Sequence, residues 1–143
     1  MVFDLKKYEK RIRNAQLNKA SFMSNSKWRK FFESARSRGL QYHGNVLLKC
    51  LRSEEAYPFG LDVWIDEKHP GYTMDGRYPP LALKEIEWIF IPADYEIERW
   101  HRDEKLQPKY IKNDIHALKE MIDELGFYEY DFNINGIKIY GYK

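Results

Sequence analysis

The sequence has little that would cross-link the chain or hold it in a membrane. It contains one cysteine, Cys50, which excludes an internal disulfide and a site built from several thiolates. The longest apolar run, at positions 88–93, is about six residues long, whereas a membrane-spanning helix needs about 20. The first residues run into charge without the apolar stretch of a secretory signal. We therefore expect a cytoplasmic protein that is stabilised by packing.

Sequence motifs for common cofactors and catalytic centres are also missing. There is no G-x-S-x-G, Walker-type or G-x-G-x-x-G segment, so we expect no cofactor. The four histidines are scattered singly, without the spacing of zinc ligands. Cys50 lies in an apolar stretch, which is typical of a small core residue. The sequence favours a non-catalytic role over an enzymatic one.

The composition is that of a folded protein. Of the 143 residues, 43% are hydrophobic, 32% are charged and 16% are aromatic. This is far more apolar surface than a disordered chain carries. The length fits one hydrophobic core, so we expect a single domain over residues 1–143.

Charge is distributed unevenly along the chain. Residues 1–52 carry 13 Lys or Arg against 3 acidic residues, whereas residues 53–143 carry 11 against 19. Two interpretations follow. The halves can attract each other on folding, or the basic half can bind an anionic partner.

Apolar residues spaced three and four apart predict three helices. The first follows Asp4, a good N-cap, and the second stops at Gly39. The third has Asn113 or Asp114 near its start and Gly126 at its end. The apolar positions are Leu5, Tyr8, Ile12 and Ala15; Trp28, Phe31, Phe32 and Ala35; and Ile111, Ile115, Leu118, Ile122 and Leu125.

Apolar runs and period-two alternation predict the strands. They lie at residues 46–51, at 59–65 after Pro58, and at 86–91, with a hairpin that turns at Asn135-Gly136 and pairs Ile134 with Ile137. Residues 93–109 remain unassigned. The order of elements predicts an α+β fold. Its mostly antiparallel sheet of about five strands would carry two N-terminal helices and one late helix on one face and end in a C-terminal β-hairpin.

Exposed aromatic and charged residues suggest a protein-binding surface, since Tyr, Trp and Arg are frequent interface anchors. Two segments stand out. One is the long loop of residues 67–80, and the other is residues 95–100. The candidate partner-binding residues are Tyr72, Asp75, Arg77, Tyr78, Tyr95, Glu96, Glu98 and Trp100.

A nucleic-acid-binding protein is a first alternative, because cations coat the exposed side of the first predicted helix. Such cations neutralise phosphates. They are Lys6, Lys7, Lys10, Arg11 and Arg13. Lys27, Arg29 and Lys30 of the second predicted helix are further candidates.

A metal-dependent nuclease is a second alternative. Carboxylates close to a lysine can hold Mg²⁺ and polarise a phosphodiester. The candidates are Asp62, Asp66, Lys68, Glu85 and Glu87. The alternating acids are equally typical of a strand face in contact with solvent.

Three segments, residues 24–30, 84–89 and 136–142, resemble a family of small bacterial proteins, a domain of unknown function. The resemblance covers most of the chain and assigns no catalytic residues. In type, such aromatic-rich and charge-dense α+β proteins are also similar to immunity proteins. That similarity implies a toxin or effector as partner.

Overall fold

The chain folds into an α+β structure with one large and one small antiparallel sheet. The computed structural model describes residues 4–17, 19–63, 65, 67–73 and 81–143. The elements are α1 (Leu5–Gln16), α2 (Asn25–Ser37), β1 (Val46–Cys50), β2 (Tyr57–Phe59), a 3₁₀ turn (Leu83–Glu85), β3 (Ile86–Pro92), β4 (Asp94–His101), β5 (Glu104–Lys112), α3 (Ile115–Leu125), β6 (Tyr130–Asn133) and β7 (Gly136–Tyr140). The predicted fold class is confirmed.

The main sheet has five strands in the order β2-β1-β3-β7-β6, and every pairing is antiparallel. Helices α2 and α3 pack on one face of it. Their apolar side chains meet those of the central strands in one core, where Trp28, Phe31, Ile89, Leu118 and Ile139 are all buried. Each such side chain stabilises the fold by roughly 1.5–3 kcal/mol.

The helix boundaries follow local signals. The Asp4 carboxylate accepts a hydrogen bond from the Lys7 amide and caps α1, and Ser24 caps α2 in the same way. Gly39 follows the end of α2 with a φ of +71°, which suits glycine. Helix α1 packs outside the main core. Its Tyr8 and Ile12 contact Ala82 in a second, smaller cluster.

Strand β2 is shorter than predicted and lies elsewhere. It spans Tyr57–Phe59 and contains Pro58, whereas the alternation predicted a strand at 59–65 that begins after this proline. Proline is tolerated because β2 is the edge strand. Leu61 and Val63 are buried outside any strand, so their alternation reflects the burial of an irregular segment.

The third helix begins at a predicted cap, Asp114, but Ile111, which the spacing assigned to the helix, lies outside it. Ile111 belongs to β5, and α3 starts at Ile115 after the N-cap Asp114. Helical spacing continues by chance from strand to helix across the intervening cap.

The register of the C-terminal hairpin differs from the prediction. Phe132, not Ile134, pairs with Ile137, and Ile134 is 92% exposed in the turn. Gly136 has a φ of +151° at the start of β7, and a Cβ there would collide with the carbonyl oxygen of Ile91. Its conformation therefore serves close packing against β3, while the turn itself is made by Ile134 and Asn135.

Residues 93–109, which the pattern left unassigned, contain most of a second hairpin. Strands β4 and β5 pair from Asp94↔Lys112 to His101↔Glu104, with one irregularity between Ile97 and Arg99. In the described part of the chain these two strands form a sheet of their own. Successive side chains of β4 and β5 point to opposite faces of this small sheet, and both faces are largely exposed.

Candidate functional site

Four of the predicted partner-binding residues come together on β4. Glu96, Glu98 and Trp100 alternate on one face of the strand, and Tyr95 lies on the other. Trp100 is 56% exposed, and Tyr110 of β5, which pairs with Glu96, is 59% exposed. We call this surface the acidic hairpin face. It consists of Asp94, Glu96, Glu98, Trp100 and Tyr110, with Lys112 and Lys105 at its ends opposite Asp94 and Trp100.

Weak contacts within the acidic hairpin face leave its charges accessible. The Tyr110 hydroxyl donates to Asp94 Oδ1 at 3.1 Å, and this hydrogen bond raises the pKa of Tyr110. Lys105 Nζ lies 3.6 Å from Glu98 Oε1 and 6.0 Å from the centre of the Trp100 ring. Both members of the ion pair are exposed, and such pairs contribute little to stability. The face is therefore available to a partner.

The base of the hairpin is fixed to the main sheet. Asn113 donates from its side-chain amide to the carbonyl oxygens of Gly44 (2.8 Å) and Pro92 (2.9 Å), and it accepts from the Gly44 amide (3.0 Å). Tyr95 packs its ring end against Gly44 so closely that a Cβ would not fit there. Tyr95 thus lies at the anchored end of the hairpin. The sequence indicated Asn113 only as a residue near a helix start.

The other predicted contact segment lies elsewhere. The Tyr72 hydroxyl donates to Glu9 Oε1 at 3.0 Å, and burial together with this bond raises the pKa of Tyr72 to about 12. Tyr72 packs against the small cluster beneath α1. The remaining predicted residues, Asp75, Arg77 and Tyr78, lie outside the described residues. Tyr72 is therefore half-buried beside a helix and does not share a surface with β4.

The cations of α1 form a second exposed surface. All five are exposed, whereas Tyr8 and Ile12 are the buried positions of the helix. Within the described ranges none of the five has an ion-pair partner. We call this surface the α1 basic face. It consists of Lys6, Lys7, Lys10, Arg11 and Arg13.

Two of the nuclease candidates, Glu85 and Glu87, are buried and bind cations of the basic half. Glu85 accepts a short hydrogen bond from the Tyr8 hydroxyl and also binds Arg52, with Nε at 3.0 Å and an Nη at 2.9 Å. Burial and this bond to Glu85 raise the pKa of Tyr8. The carboxylate of Glu85 is thus satisfied by protein groups.

Glu87, two residues after Glu85, is likewise bound by cations of the basic half. It binds Lys19 Nζ at 2.5 Å and also Lys49. Burial opposes ionisation of Glu87, but the hydrogen bonds from the two lysines prevail and lower its pKa. Both carboxylates therefore stabilise the fold as ion pairs.

Of the other nuclease candidates, the described carboxylate Asp62 lies apart from Glu85 and Glu87. Asp62 is exposed on the segment after β2, and β1 separates β2 from β3 in the sheet. Asp66 lies outside the described residues. Among the residues that the structure describes, no three His, Cys, Asp or Glu side chains are grouped as metal ligands would be.

Residues 9–143 match a family of unknown function, DUF6678. The chain belongs to this family. The DUF6678 match includes the whole β4–β5 hairpin and the ion pairs of Glu85 and Glu87. It also includes Lys10, Arg11 and Arg13 of the α1 basic face, while Lys6 and Lys7 precede it. The resemblance of the chain to an uncharacterised family is thereby confirmed.

No curated protein and no solved structure matches this DUF6678 chain. In the described part of it, no helix is both long and apolar enough to cross a bilayer.

Proposed function

We propose that this protein is a non-catalytic protein-binding domain whose acidic hairpin face covers a basic, partly apolar site on its partner. In its specific form, the proposal is an immunity-type inhibitor of a toxin or effector that acts in the cytoplasm. The observation that carries it is a tryptophan, Trp100, that is 56% exposed within a row of carboxylates on an anchored hairpin.

An isolated two-stranded hairpin is marginally stable in water. The β4–β5 hairpin adds few side chains to the core, so its large exposed residues serve little purpose in folding. Trp and Tyr at the centre of an interface commonly carry most of the binding free energy. Carboxylates around them accelerate encounter with a basic surface and suppress binding to acidic ones.

The test measures how two variants bind the partner. Each variant carries three substitutions, two of which reverse a charge. The first carries Trp100→Ala, Glu96→Lys and Glu98→Lys on the acidic hairpin face. The control carries Ile97→Ala, Arg99→Glu and Lys109→Glu on the opposite face. The partner is identified by mass spectrometry after pull-down from the native host. It is then purified and titrated against each variant.

We expect the first variant to bind the purified partner about 30-fold more weakly or worse, which corresponds to the loss of about 2 kcal/mol at a binding hot spot. The control should change affinity by less than threefold. Both variants should keep the circular dichroism spectrum of the parent. Equal affinities for the two variants would reject this surface.

A further inference from the structure

The α1 basic face has a charge arrangement that neither the fold nor the proposed protein partner uses. Other cations of the basic half, Lys19, Lys49 and Arg52, are bound to Glu85 and Glu87. The five on α1 remain unpaired within the described ranges. They therefore keep their full charge available for an external anion.

The helix that carries these cations is held firmly at both ends. Near its start, the Tyr8 hydroxyl donates to Glu85 and its ring lies under Arg52, 5.1 Å from centroid to guanidinium carbon. Near its end, Gln16 donates to the Tyr142 hydroxyl at 2.5 Å, which itself donates to the Lys84 carbonyl at 2.7 Å. The cations thus sit on a fixed support.

The geometry of a helix determines how the five charges are spread. At 100° per residue, positions 6, 7, 10, 11 and 13 fall within an arc of roughly 160°, and at 1.5 Å per residue they span about 10 Å along the axis. Double-stranded DNA carries one negative charge per roughly 1.7 Å of its axis, so about six phosphate charges occupy the same length. The two charge densities are well matched.

Other anionic partners fit this surface less well. A membrane-surface helix inserts its apolar face into the lipid, but Tyr8 and Ile12 of α1 are buried in the protein. A protein interface has an apolar centre, whereas all five members of the α1 basic face are Lys or Arg. Single strands are bound by aromatic rings that stack on bases, and among the described residues of α1 the one aromatic side chain, Tyr8, is buried.

We propose that the α1 basic face binds the phosphate backbone of double-stranded nucleic acid without sequence preference. This function is separate from partner binding by the acidic hairpin face. It uses residues of α1, none of which belongs to the hairpin, and it makes a prediction of its own, a steep dependence of affinity on salt.

The experiment measures fluorescence anisotropy of labelled 20-base-pair DNA and RNA duplexes, with a single strand of the same length for comparison. If all five cations contact phosphates, the slope of log affinity against log salt is about −4.5. Raising the salt from 50 to 200 mM should then weaken binding about 500-fold. The single strand should bind more weakly than either duplex.

Two variants with the same change in net charge locate the site. One replaces every member of the α1 basic face by glutamine, a good helix former. The other replaces five exposed cations of the β4–β5 hairpin by glutamine: Arg99, Arg102, Lys105, Lys109 and Lys112. The α1 variant should lose at least tenfold more affinity than the hairpin variant. Its salt slope should also become shallow.

A double variant, Lys7→Gln with Arg11→Gln, tests whether the salt slope falls in proportion to the number of cations removed. With only two substitutions, it also disturbs folding least. It should reduce the magnitude of the salt slope by up to about 1.8, or 0.9 per lost contact. The proposal is overturned if neither duplex binds at 50 mM salt, if the two five-site variants lose equal affinity, or if the single strand binds best.

Discussion

Two segments of very similar sequence have opposite environments in this fold. Residues 85–88 read Glu-Ile-Glu-Trp and enter β3, while residues 96–100 read Glu-Ile-Glu-Arg-Trp on β4. In the first, both glutamates are buried and paired with cations. In the second, Glu96 and Glu98 are exposed, and so is the tryptophan that follows them.

The difference lies in what the rest of the chain brings to each segment. Hydrogen bonds from Tyr8, Lys19, Lys49 and Arg52 to Glu85 and Glu87 offset the cost of burying these carboxylates. No such cations converge on Glu96 within the described residues, and Glu98 has only the exposed Lys105. The same local pattern is therefore buried and paired in one segment, and in the other it leaves carboxylates and a tryptophan exposed to solvent.

The largest loss of stability should come from removing the buried ion pair between Glu85 and Arg52. Replacing Glu85 by glutamine leaves Arg52 without its carboxylate, so the free energy of unfolding should fall by about 3 kcal/mol. Glu96→Gln is the matched control on β4 and should change it by less than about 0.5 kcal/mol. Urea denaturation of the two variants measures both values. Similar losses for Glu85 and Glu96 would show that the two segments are not energetically distinct.

A smaller loss of stability should appear when low pH protonates Glu87. Its folded-state pKa is lowered by the two lysines, so its contribution to stability is present above the unfolded value of about 4.3 and disappears as pH falls through the folded value. Glu87→Gln should lower the free energy of unfolding by about 2 kcal/mol at pH 7. The difference from the parent should shrink as the pH falls below about 4.3 toward the folded value.

Thermal unfolding of the parent and Glu87→Gln from pH 7 to pH 3 tests this dependence. Glu98→Gln serves as the exposed control and should follow the parent across the range. A gap between Glu87→Gln and the parent that stays constant down to pH 3 would contradict the role assigned to the ion pairs of Glu87.

The sequence was sufficient for elements whose signals are local. Helices α1 and α2 begin at Asp4 and Ser24 caps and bury apolar positions three and four apart, and these signals can be read over a dozen residues. The β4–β5 hairpin was not predicted because both of its faces are largely exposed. Its sequence therefore lacks the alternation of a half-buried strand.

Long-range contacts explain the remaining errors. Gly136 takes its positive φ to approach Ile91 of β3, a contact that no turn rule contains, and the register of the last hairpin was wrong for that reason. The role of Glu85 depends on Tyr8, 77 positions earlier in the chain. Composition did indicate the two candidate surfaces, because surplus cations and rings are visible without knowledge of the pairing.

The smallest effect should be found at Glu98 and Lys105, the one ion pair between β4 and β5 in the described structure. Both side chains are more than half exposed, at 69% and 55%, and solvent screening leaves such a pair a coupling free energy below about 0.5 kcal/mol. A double-mutant cycle with Glu98→Gln and Lys105→Gln measures it by urea denaturation. The parallel cycle with Glu85→Gln and Arg52→Gln should give a value at least three times larger, because its carboxylate is buried. A coupling at Glu98 as large as that at Glu85 would mean that the Glu98 carboxylate stabilises the hairpin itself. Its charge would then be unavailable to a partner of the acidic hairpin face.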